Sequence, residues 1–163
     1  MDVHEAIRTK RATRRFTAQP ISDEGVWSIL NAGRRAQSSK NSQPWQFIAI
    51  QDRETLRRLS ECGTYAGHLA GAALGVAIVT SGADEFDAGQ AAAYMQLEAW
   101  GRGIGSCIAS MWEPERAKEI LGIPPDQRFD VAISFGYPAG EQPARPVKGG
   151  RRPLKDIVRW ERW

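Results

Sequence analysis

The chain has 163 residues, of which 42% are hydrophobic and 25% charged, and a formal net charge of +3. That length suits one domain, or one subunit of an intimate dimer, and a globule of this size hides roughly 68–70% of its unfolded surface, enough for a core without staples. Two cysteines argue against a disulfide framework and for a reduced, cytoplasmic setting, no apolar run approaches the ~20 residues of a membrane span, and basic residues held in clusters favour small anions over a polyanion surface.

Asp2 with Glu5 three residues on is a capping-box pattern and predicts a short helix through about Lys10. The basic cluster Lys10-Arg-Ala-Thr-Arg-Arg15 follows and runs directly into Phe16. Ser22 opens a second helix, with Val26, Ile29 and Leu30 on one face, that stops near Gly33. Residues 35–44 form a polar loop, and Trp45 to Ile50 is a strand with little alternation, expected to be buried on both faces. Asp52 caps a helix carrying Leu56 and Leu59. The small-residue run over 64–73 reads as tightly packed helix, and Leu74 to Thr80 as the next buried strand. Asp87 is expected to cap a long helix to about Arg102, and Ser106 to Met111 to be a short strand. Pro114 sits at the first position of a helix closed by Gly122. Phe129 to Phe135 alternates apolar and small or polar residues as a strand does, and a Gly-, Pro- and Arg-rich tail follows.

Strands separated by helices imply a sheet covered by helices on both faces. Leu154, Ile157, Val158 and Trp160 have no obvious place in their own subunit, so the last segment is expected to reach onto a partner chain. Trp160 and Trp163 strengthen this, because a terminus rich in Trp implies docking.

The loop Ser38-Ser-Lys-Asn-Ser-Gln-Pro-Trp45 offers hydroxyls and amides in bulk beside a strand, where polar ligands are commonly held. Arginine clusters at 11–15 and 151–152 suit a phosphate, which guanidinium groups grip bidentately. Several chemistries are missing. Gly101-Arg-Gly103-Ile-Gly105 ends a helix instead of opening one, so the dinucleotide fingerprint fails on context. There is no phosphate loop and no serine-hydrolase elbow. His4 and His68 lack partners at metal-ligand spacing, so no metal site is expected. His68 reads as a packing residue and Cys107 as an inert strand residue. Single-stranded nucleic acid is the rival ligand for the basic clusters, disfavoured because the aromatics sit in apolar runs instead of interleaving with them.

Four segments resemble, in order, the nitroreductase family of FMN-dependent oxidoreductases: KRATRRF, AQSSKNSQPWQF, DAGQAAAYMQLEAWGRGIGSC and FGYPAGEQPARPVKGGRRPLKDIVRWERW. The resemblance implies an α+β fold with a mixed central sheet covered by helices. It implies one domain over 1–163 whose last part, about 150–163, is a domain-swapped arm in a homodimer with FMN at the interface. It assigns Lys10, Arg11, Ala12 and Arg14 to the loop holding the phosphate, ribityl chain and pyrimidine edge, and Arg151 with Lys148 to the completed phosphate clamp. Ser38, Ser39 and Asn41, supported by Gln43, would reach the flavin from the other subunit. Ala109 and Ser110 would approach the isoalloxazine near N5. Hydride would pass from NADH or NADPH through flavin N5 to a nitroaromatic, quinone or similar acceptor by a ping-pong mechanism, with no catalytic side chain. Ala12 stands where the family usually has Ser, Gln37 where Pro is common, and the stretch between Thr80 and Asp87 is short where larger members carry a cover. These departures keep two alternatives open: a flavin-binding protein with little turnover, or a specialised flavoenzyme such as a reductive dehalogenase.

Overall fold

The computed structural model of the chain describes residues 1–82, 85–140 and 151–163. The first three α-helices begin where the sequence supplies a cap. Asp2 accepts the Glu5 amide at 2.7 Å to start α1 (Val3–Thr9), Ser22 accepts the Gly25 amide at 3.2 Å to start α2 (Asp23–Arg34), and Asp52 accepts the Thr55 amide at 2.8 Å to start α3 (Arg53–Ser60). α4 is Glu85–Gly101, and α5 (Pro114–Leu121) ends at Gly122, whose φ of 65° suits a residue without a Cβ. The predicted helix over 64–73 is a 3₁₀ segment, Ala66–Gly71.

Four strands, β1 (Trp45–Ile50), β2 (Leu74–Thr80), β3 (Gly105–Ser110) and β4 (Arg128–Gly136), form one sheet in the order β1-β2-β4-β3. All three ladders are antiparallel. The α+β class therefore stands, but the mixed sheet is corrected for the described residues: parallel pairing is confined to an isolated bridge between Ala12 and Ser106.

The central strands alternate between two cores. Leu74, Val76, Ile78, Ile133 and Phe135 face α2 and α4, packing with Ile29, Ala91, Met95 and Ala99. Ala77, Val79, Phe129 and Ala132 face α3, α5 and the 3₁₀ segment, packing with Leu56, Leu59 and Leu69. β2 is buried throughout, as its unbroken apolar run demands. β1 is not, contrary to expectation: it lies at the sheet edge, and only Trp45 and Ile50 are buried. Asp87 also departs from expectation, lying inside the first turn of α4.

Leu154, Ile157, Trp160 and Trp163 are all exposed, so the arm buries none of its large apolar side chains within its own subunit. A cleft of about 920 Å³ lies between α1, α2 and α4, with exposed Met1, Val3, Ile7 and Tyr94 along it. Among the described residues, no helix is long and apolar enough to cross a membrane.

Candidate functional site

The basic loop after α1 is stitched to the sheet. The Thr13 amide donates to the Ser106 carbonyl at 2.9 Å, the Thr17 amide to Tyr137 at 2.8 Å, and the Ala139 amide to Arg15 at 3.0 Å. Thr13 is buried against Gly105, where any Cβ would collide with the Thr13 side chain. The close approach of loop and strand therefore depends on glycine at 105.

That docking fixes which backbone groups of β3 remain open. The Ser106 carbonyl points away from β4, toward Thr13, and the Met111 amide points back to Asp130 of the β4 side at 2.9 Å. Backbone groups of successive strand residues alternate in direction, so Ile108 and Ser110 also point outward. Ala109 pairs with Ala132, and its side chain is buried in the core on the α3 and α5 side. Of the two β3 residues assigned to the isoalloxazine, Ser110 thus lies on the open edge and Ala109 does not.

Lys10 and Arg14 are both half-buried. Burial lowers the Lys10 pKa, with Cys107 acting in the opposite sense, which puts the amine beside β3. Arg11 is exposed, and its guanidinium bonds the carbonyls of Arg8 at 3.0 Å and Lys10 at 2.9 Å, capping the end of α1. Ala12 is exposed and brings no hydroxyl.

His68 reads in the sequence as a packing residue, and the structure buries it. Its Nδ1 lies 2.7 Å from Ser134 Oγ, and Ser134 Oγ donates to the Cys107 carbonyl at 3.3 Å. Among the described residues, His68 Nε2 is the buried side-chain nitrogen or oxygen left without a hydrogen-bond partner. Burial pushes the ring down to a pKa of about 4, the Arg14 charge adds to that effect, and the Ile108 backbone works against it. The ring is therefore neutral near pH 7, within the influence of the Arg14 charge and of the Ile108 backbone on β3. A lone His within the run Ala66-Gly-His-Leu-Ala-Gly71 is the sequence signal, since nothing else there is polar.

The hydroxyl-amide loop is elsewhere. Lys40, Asn41 and Gln43 all have positive φ, at 52°, 57° and 50°. Non-glycine residues rarely hold that conformation, and such strain gathers at functional segments. The Gln43 amide donates to Ser38 Oγ at 2.9 Å, the Gln43 side chain donates to the Asn41 carbonyl at 3.4 Å, and the Ser39 amide donates to Asp87 on α4 at 3.2 Å. Ser39, Asn41 and Gln43 are exposed, and Ser38 is half-buried. This loop leads into β1, at the opposite edge of the sheet from β3. Three strand spacings separate the edges, about 14 Å. The structure thus brings Lys10, Arg14 and Ser110 to one edge and places Ser38, Ser39, Asn41 and Gln43 at the other. Arg151 is exposed in the arm, and Lys148 lies outside the described residues.

Comparison with known proteins gives a consistent picture. Residues 7–62 and 76–137 match the nitroreductase family. The chain is 31% identical to a protein of Archaeoglobus fulgidus named as an NADH dehydrogenase/NAD(P)H nitroreductase, covering 96% of each chain. It is 26% identical to an NADH dehydrogenase of Thermus thermophilus, over 98% of this chain and 96% of that one. An FMN-dependent nitroreductase from Clostridium difficile superposes with a TM-score of 0.86 at 27% identity, covering 99% of this chain and 100% of the other. Nitroreductase A of Vibrio parahaemolyticus shares the fold, with a TM-score of 0.89 at 22% identity over all of this chain and 78% of that one.

Proposed function

Because the chain belongs to the nitroreductase family, whose members are oxidoreductases, we propose that it is an FMN-dependent enzyme passing hydride from NADH or NADPH to a nitroaromatic, quinone or similar acceptor in two alternating half-reactions. The observation that carries this reading is the open edge of β3. Outward backbone groups of Ile108 and Ser110 lie there with two half-buried cations, Lys10 and Arg14. Such a set fits a planar heterocycle with polar edges and an anionic tail. When bound, the flavin supplies a two-electron hydride relay at its N5.

This chain's residues then have separable tasks. Lys10 and Arg14 hold positive charge beside the pyrimidine end, which favours an anionic reduced ring. The Ser110 backbone would line the ring, and Arg151 would bind the phosphate. No side chain is required as acid or base.

The whole chain acts as one domain, and the site is shared between two copies. The hydroxyl-amide loop and the cationic loop lie at opposite edges of the sheet, with β2 and β4 between them. A second copy brings Ser38, Ser39 and Asn41 against the first copy's β3 edge, with Gln43 bracing them, and lays the arm from about residue 150 over the partner. The exposed apolar residues of the arm, Leu154, Ile157, Trp160 and Trp163, support that assembly.

The test is direct. Purified protein should take up FMN, absorb near about 450 nm, and bleach on anaerobic mixing with NADH or NADPH. Protein that stays colourless and takes up no FMN overturns the proposal. Exposed Ala12, without a hydroxyl for the cofactor, favours a second reading as a flavin-binding protein with little turnover. Retained flavin that does not bleach with either nicotinamide would select it.

A further inference from the structure

α4 packs into the core with small or apolar residues, Ala88, Ala91, Ala92, Met95 and Ala99, and one buried residue breaks that pattern. Gln96 is 7% exposed, and its Nε2 donates at 3.2 Å to the Oγ of Ser106 on β3, itself 1% exposed. One turn further along α4, Trp100 Nε1 donates to Thr9 Oγ1 at 3.0 Å.

Both partners lead to the cationic loop. Thr9 is the last residue of α1 and directly precedes Lys10. Ser106 accepts the Thr13 amide through its carbonyl at 2.9 Å and forms the bridge to Ala12. The segment carrying Lys10 and Arg14 is thus held from one helix at two points: at Thr9 directly, and at Thr13 through the strand residue on which it docks. α1 cannot supply this by itself. It has seven residues, of which Ala6 is buried, and is far shorter than a helix that stands alone in water.

Packing alone accounts poorly for the buried pair of Gln96 and Ser106. Replacing both partners of such a bond by apolar groups of the same shape can be nearly neutral for stability. What the bond adds is direction. It fixes Ser106 relative to α4, and Trp100 fixes the end of α1 relative to the same helix.

We propose that Gln96 and Trp100 are positioning residues of the cofactor site, setting from α4 where the Lys10 and Arg14 charges stand against the bound flavin. Neither needs to touch the flavin. The inference rests on the FMN reading and adds to it a helix that tunes the reduced ring through the loop it braces.

The experiment compares the unaltered full-length protein with two variants. Gln96→Met with Ser106→Ala removes both partners of the buried bond at once, and Trp100→Phe keeps a ring but loses the N–H. Three quantities are read: urea unfolding without flavin, FMN affinity by fluorescence quenching, and the midpoint potential of the bound flavin. Each variant is expected to keep its unfolding midpoint within about 0.5 M urea. FMN should bind about two- to tenfold more weakly. The reduced, anionic ring should lose about three- to tenfold more affinity than the oxidised one, a midpoint potential about 15–30 mV more negative. Unchanged affinity and potential overturn the inference while leaving FMN binding intact. So does weaker binding at an unchanged potential, which would assign both residues to the fold alone. Failure of the unaltered protein to take up FMN overturns the cofactor reading and this inference with it. If the Gln96 variant does not fold, Trp100→Phe, at a half-buried ring, decides alone.

Discussion

At the β3 edge, the segment from Lys10 to Thr17 is pinned by backbone bonds to Ser106 and Tyr137 and by the fit of Thr13 against Gly105. At the β1 edge, the loop from Ser38 to Gln43 carries three left-handed non-glycine residues and, among the described residues, is steadied from outside itself by one amide bond, Ser39 to Asp87. The first is rigid because strands hold it. The second is held by short-range bonds such as that from the Gln43 amide to Ser38 Oγ. A cofactor shared between two copies would meet one preformed wall and one that settles on contact. The preformed wall sets position, and the settling one makes binding depend on assembly.

The comparison breaks most severely if the rigid wall and the arm both lose their charge. Arg14→Ala together with Arg151→Ala should lower FMN affinity by about 100-fold or more, since bonds to charged groups contribute about 1.5–3 kcal/mol each. Stoichiometric flavin retained through gel filtration would count against both assignments. Gly105→Ala should displace Thr13 and the loop it carries. A loss of about 1–3 kcal/mol in denaturant unfolding is expected, with weaker FMN binding in parallel.

A third outcome concerns His68 and pH. Its ring titrates near 4 in the folded chain against 6.5 ordinarily. Between those values the unfolded chain takes up a proton that the folded chain refuses, so stability should fall as pH drops from about 6.5 to 4. His68→Leu should flatten that part of the pH–stability curve, and an unchanged slope would assign the effect to other groups. The smallest effect belongs to the strained loop. Asn41→Gly frees a φ of 57° that Asn tolerates but adds unfolded-chain entropy, so it should change subunit stability by no more than about 1 kcal/mol while loosening FMN retention. A thermal melt and a flavin dissociation rate on the same sample would show whether the two effects part company.

Helix starts were legible because caps are local: Asp2, Ser22 and Asp52 each bond an amide three residues on. Asp87 misled because it has the right chemistry one turn too late, and its carboxylate serves the Ser39 amide across space instead. Burial of β1 was overread, since an apolar run records hydrophobicity and not whether a strand finds neighbours on both sides. In the site, the arginines and the serine-rich loop could be read as residue types. The openness of the β3 edge could not, because it follows from the direction of the Ser106 carbonyl, which only the packed structure fixes. His68 stayed hidden for the same reason. Its significance lies in Ser134, 66 positions away.

The exposure of Trp160 and Trp163 gives the molecule an optical handle. An indole in water emits at longer wavelength than one packed against protein, and an indole near an oxidised flavin is dimmed by energy transfer. If the arm docks as proposed, dilution of the protein would redden and brighten its ultraviolet emission as copies separate and flavin leaves. Assembly and cofactor release could then be timed in one stopped-flow trace, without any label.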